Sequence, residues 1–99
     1  NDLAGAAATI NLIRARANAT PITASQVTLD FILDERSREL WSEEHRRYTL
    51  LRTGTWFDRT KKFNLIAGKV ITLRDTIFPI PQVVIDANLS KTMSQNPGW

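Results

Sequence analysis

Apolar positions recur at spacings of three and four near the start of the chain, where Leu3, Ala7, Ile10, Ile13 and Ala17 form one stripe. That period predicts a helix over residues 2–18 with a single buried face. Alanines at positions 4, 6, 7, 8, 15 and 17 favour helix and add little bulk, so a second helix can approach closely. Thr20-Pro21 closes the segment, because the residue before proline is pushed out of the helical region. A second stripe of Leu29, Ile32, Leu33, Leu40 and Trp41 predicts a helix from an N-cap at Thr28 to about Thr53. Asp30 sits in its first turn, Ser42 marks a kink or a break, and Gly54 supplies the C′ residue.

Beyond Gly54 the period fades. A short helix is expected over residues 56–64 and a brief strand over 69–73. Phe78-Pro79-Ile80-Pro81 must be extended, since alternate prolines fix φ and remove amide donors. Residues 82–99 carry Val83, Val84, Ile85 and Leu89 but no sustained pattern. The resulting organisation is all-α: a helical hairpin over residues 1–54, then a mostly irregular tail over 55–99. An irregular yet apolar stretch of about 35 residues exceeds the ~12–15 expected of a loop in a compact domain, so it reads as chain that wraps over a larger body. It ends in Gln95-Asn96-Pro97-Gly98-Trp99. The Pro-Gly turn aims the last ring, which makes Trp99 the expected anchor of the tail.

Charges fall on the face that the second stripe marks as inward. Arg36 and Glu43 are seven residues apart, with Glu39 between them, so the three are expected to form an internal charged network. The formal charge is +3, with basic clusters at residues 14–16, 46–47 and 59–62. Alternation of signs through residues 34–47 reads as internal pairing rather than a nucleic-acid-binding field. No run approaches the ~20 apolar residues of a membrane span. There is no initiator Met or signal sequence, and Asn1 reads as a cut point.

Candidate chemistry is sparse. Glu39 and Glu43 resemble a glycosidase carboxylate pair, but arginines at helical spacing keep both ionised and unsuited to general acid work. A single His and no Cys leave no metal site, and no phosphate loop or nucleophile elbow is present, so neither an enzyme nor a cofactor is expected. Of the three tryptophans, Trp41 reads as core and Trp99 as anchor. Trp56, beside Phe57, is the one candidate for stacking on a sugar ring, with burial the commoner fate.

Read in order, Asn11-Leu12-Ile13-Arg14-Ala15-Arg16-Ala17, Ile32-Leu33-Asp34-Glu35-Arg36-Ser37-Arg38-Glu39-Leu40, Glu43, His45-Arg46-Arg47 and Leu50-Leu51-Arg52-Thr53-Gly54 resemble the C-terminal region of the SusD/RagB family. Phe78-Pro79-Ile80-Pro81, Asn88 and Gln95-Asn96-Pro97-Gly98-Trp99 continue the match over nearly the whole chain. Ser42 and Glu44 stand where the family tends to have Gly, and Thr49 where it tends to have Asp. The resemblance implies a tetratricopeptide-like helix pair within a larger α-helical protein. Its partners would be the remainder of its own longer chain, an oligosaccharide bound mainly by upstream regions, and a TonB-dependent, SusC-like transporter. It implies a surface-facing outer-membrane lipoprotein, held to the membrane only through an N-terminal lipid anchor. The alternative is a helical-repeat module that binds a partner protein.

Overall fold

A computed structural model describes residues 2–99; Asn1, and with it the expected cut point, lies outside them. Among the described residues the regular structure is all helical, with no strand. The α-helices are α1 (Leu3–Arg16), α2 (Leu29–Glu39), α3 (Arg46–Arg52), α4 (Trp56–Phe63) and α5 (Gln82–Asp86). The chain divides into two compact units, residues 1–44 and 45–99, rather than at the expected 54/55 boundary.

In the first unit, Asp2 caps α1 by accepting the Gly5 amide at 2.7 Å. The helix stops before the expected Thr20-Pro21 because Asn18 turns into the left-handed region at φ 52°, which Asn tolerates better than most residues. Ala7, Ile22 and Val27 form the buried core, with Ala6, Ile10, Phe31 and Ile32 against it. The Asn11 side chain holds the returning strand of chain: its Oδ1 accepts from Ile22 N at 2.8 Å and its Nδ2 donates to Ile22 O at 2.9 Å. Both backbone groups of a core residue are thereby satisfied without a β-ladder. Thr28 caps α2 through the Phe31 amide at 3.0 Å, with Asp30 in the first turn.

The second expected helix is two pieces, α2 and α3, with the break at the expected Ser42. Ser42 adopts φ 64°, a conformation that ends the helical run. Because α2 ends at Glu39, Trp41 lies past its stripe and is 82% exposed instead of core; Leu29, in the first turn of α2, is also exposed. Leu33, on the same stripe, is 1% exposed. The Arg36 guanidinium bridges the turn, its Nε and Nη2 donating to one Glu44 carboxylate oxygen at 2.9 and 2.7 Å.

In the second unit, α3 ends at Gly54, whose φ of 69° provides the expected left-handed stop. After α4 the chain folds back through an Asn64 turn. Asn64 Oδ1 accepts from Ile66 N and Ala67 N, and Gly68 N donates to Asn64 O. A Cβ on Gly68 would lie 2.8 Å from Lys61 O and 3.0 Å from Thr60 O, so only glycine allows this approach to α4. The expected strand over 69–73 is instead the end of one 3₁₀ turn, Ala67–Lys69, and the start of another, Leu73–Thr76. With no partner strand to ladder against, Val70 and Leu73 remain exposed. The five-residue α5, preset by Pro81, forms where the sequence carries no sustained period.

Candidate functional site

Charged clusters and a cluster of aromatic rings carry the polar chemistry of the described residues. In the first unit, Arg14 of α1 reaches Glu35 of α2 with Nη1 at 2.9 and 2.8 Å from the two carboxylate oxygens, while its Nε donates to Thr20 O at 2.8 Å. Arg38 adds Nη2 at 2.6 Å and Nε at 3.1 Å to the same carboxylate. Burial pushes the Glu35 carboxyl up, but the hydrogen bonds from Arg38 and Arg14 and their charges outweigh it and hold it below the ordinary carboxylate value. Arg16 and Glu39 form a second bridge between α1 and α2.

The expected network of Arg36, Glu39 and Glu43 is therefore partnered differently. Arg36 takes Glu44, Glu39 takes Arg16, and Glu43 lies exposed on the turn. The phase of α2 carried through Ser42 put Glu43 inward; the Ser42 turn puts Glu44 there instead, its side chain 6% exposed. Glu43→Ala is expected to change stability by no more than about 0.5 kcal/mol, whereas Glu44→Ala is expected to cost about 2 kcal/mol by urea unfolding. Glu39 and Glu43 do not share a helix face, since α2 ends at Glu39, so they do not form the two-carboxylate arrangement that glycoside hydrolysis uses.

A groove of about 250 Å³ runs between α1 and α2, walled by Ile10, Ile13, Ile32 and Leu40 with Glu35, Arg36 and Glu39 along it. It is apolar within and charged at the rim.

The second unit is organised around Arg47. Its guanidinium carbon lies 4.3 Å from the Trp56 ring centroid and 4.4 Å from that of Phe78, and Nη2 donates to Asp75 O at 2.6 Å. Its Nε is buried without an acceptor among the described residues. One arginine thus ties α3, α4 and the extended Phe78–Pro81 segment together. Trp56, the candidate sugar platform, is half-buried, and Arg47 stacks on it. Its remaining surroundings are a cavity of about 300 Å³ lined with Leu51, Phe57, Asp58, Leu73 and Thr76. Asp75 is held below the ordinary carboxylate range by the Thr72 amide and hydroxyl that its carboxylate accepts.

The last five residues are stitched to residues 74–80. Gln95 accepts from Ile80 N at 2.7 Å and donates to Ile80 O at 2.8 Å, repeating the amide clamp of Asn11 on Ile22. In both places the clamped isoleucine follows a proline. A proline-bounded extended segment has few amides and cannot recruit a strand, so a side-chain amide completes its hydrogen bonding. Asn96 donates to Phe78 O at 2.7 Å. Trp99 Nε1 donates to Ile77 O at 3.0 Å, and the Arg74 guanidinium lies 4.4 Å from its ring centroid. Gly98, at φ 87°, makes the turn. Gln95→Ala is expected to cost about 2 kcal/mol by urea unfolding, because it leaves both Ile80 groups without their partner. Among the described residues no group of His, Cys, Asp and Glu side chains could hold a metal ion.

The comparison with known families decides what this stitched arrangement is part of. The SusD family model matches residues 1–99. The chain belongs to the SusD family. Members of this family are carbohydrate-binding, non-enzymatic outer-membrane lipoproteins. No curated protein and no solved structure matches the chain significantly. Within this SusD family chain, sequence reasoning missed the two amide clamps, Glu35 and Arg47. The signals were available: an Asn or Gln beside each Pro-Ile pair in the fold, and an arginine in a segment rich in aromatics. Each has a partner between 11 and 31 residues away, beyond the reach of local periodicity.

Proposed function

We propose that this segment is scaffold within a longer glycan-capturing lipoprotein that passes oligosaccharide to a TonB-dependent transporter. The single observation that carries this reading is where the polar groups go: Asn11, Arg14, Arg47, Gln95 and Trp99 all hold backbone or side chains within their own unit. The segment acts by structure, in keeping with a family of non-enzymatic binding proteins. Arg36 and Glu39 serve as structural charges, and Trp99 anchors the tail. Trp56 supports Arg47 and does not form a sugar platform. The α1–α2 pair is the tetratricopeptide-like element of the fold, and its apolar groove receives the remainder of the same longer chain.

Calorimetry on the complete protein tests this reading. Oligosaccharide affinity is expected to survive Trp56→Phe within about twofold, and the complex with the transporter is expected to co-purify from the outer membrane. Loss of glycan binding in that conservative variant would place the sugar site here and defeat the scaffold reading.

A further inference from the structure

The basic cluster at residues 59–62 takes no part in the scaffold contacts, apart from buried Arg59, and it opens a longer asymmetric segment. Residues 59–74 contain five basic side chains and no acidic one, while the rest of the chain carries eight basic and ten acidic. The whole positive excess of the protein therefore resides in these sixteen residues. The same stretch displays Phe63, Leu65, Ile66, Val70 and Leu73, with Leu65 81% and Ile66 85% exposed. Lys61, Lys62 and Lys69 are exposed among them.

This display is built. The Asn64 side chain caps the amides of Ile66 and Ala67, and Gly68 is buried against the backbone of Thr60 and Lys61, which leaves Leu65 and Ile66 on the outside of a braced turn. Lys62 Nζ lies 5.0 Å from the Phe63 centroid and Lys61 Nζ 5.7 Å from that of Phe57, so the lysine stems run along apolar surface. A second protein surface that covered these side chains would have to provide acidic partners for three lysines. An anionic bilayer provides both needs at once: acyl chains for the aliphatic tip and headgroup charge for ammonium groups that reach outward along their stems.

We propose that residues 59–74 form a docking surface for an anionic lipid membrane, with Leu65 and Ile66 entering the interface and Lys61, Lys62 and Lys69 gripping the headgroups. This contact is independent of the glycan reading and is additional to any covalent lipid anchor.

The test uses the complete protein made without covalent lipid and co-sedimented with vesicles of phosphatidylcholine alone or mixed with phosphatidylglycerol. Binding is expected only to the mixed vesicles and is expected to weaken with salt. The triple variant K61Q/K62Q/K69Q should lower partitioning by about fivefold per lysine. L65S/I66S should lower it at least tenfold with the charges intact, while L12S should leave it unchanged. A fluorophore on an Ile66→Cys variant should shift to the blue on mixed vesicles and should be freely labelled before they are added. Equal binding to both vesicle types, unchanged partitioning of L65S/I66S, or an Ile66→Cys thiol shielded without vesicles would overturn the proposal. The last outcome would assign the surface to another part of the protein.

Discussion

Glu35→Ala is expected to destabilise the protein by about 3 kcal/mol in urea unfolding, the largest loss for a single side chain here. The carboxylate receives four donor contacts from two arginines, and the side chains of both Glu35 and Arg14 are largely buried at 13% and 16% exposure. Removing the acid leaves the Arg14 guanidinium without a counter-charge, held only by Thr20 O and the face of Phe31. Arg38 is more than half exposed and loses little. Glu35→Gln keeps the shape and isolates the charge. The pH dependence follows in sign. The folded carboxyl titrates below its ordinary value, so its contribution is full above that value and disappears as pH falls through the lower folded one. Acid unfolding curves of the wild type and Glu35→Gln should converge at low pH and separate as pH rises. Parallel curves would mean that the carboxylate is not stabilised by its arginines.

Arg47→Ala is expected to cost about 2–3 kcal/mol, through two cation–π contacts and the hydrogen bond to Asp75 O. Arg47→Lys is expected to recover less than half of that. An ammonium is a point charge and cannot lie flat on Trp56 while also reaching the Asp75 carbonyl. A double-mutant cycle of Arg47→Ala with Phe78→Leu should give a coupling of about 1 kcal/mol, modest because Phe78 is itself largely exposed. Purely additive losses would show that the Phe78 contact carries no energy.

These two sites differ in how far they could be read from the chain. Glu35 and Arg14 both lie within stretches that the family resemblance singled out, yet periodicity favoured Arg36, Glu39 and Glu43 because it carried the phase of α2 through Ser42 to Glu43. A positive φ at Ser42 shifts the register by one residue, so Glu44 takes the place assigned to Glu43. Trp41 moves from core to solvent because α2 ends at Glu39, two residues before it. Arg47 was legible only as one member of a basic pair. Its ring partners, at positions 56 and 78, meet it through turns that no periodic rule describes.

The tail behaves in the opposite way. Pro79 and Pro81 dictate an extended segment with missing amides, and Pro97-Gly98 dictates a turn before Trp99; both are local steric facts that the residues carry with them. What meets them is not local. Gln95 finds Ile80 fifteen residues back, and Trp99 finds Ile77 twenty-two residues back.

By itself the sequence determined the helical class, the caps at Thr28 and Gly54, the extended proline segment and the family, because each rests on backbone preference or on residues in a fixed order. Tertiary structure alone decided the charge partners and the amide clamps on Ile22 and Ile80. Those depend on which distant groups come within about 3 Å of each other, the reach of a hydrogen bond, and a periodic pattern holds no record of that.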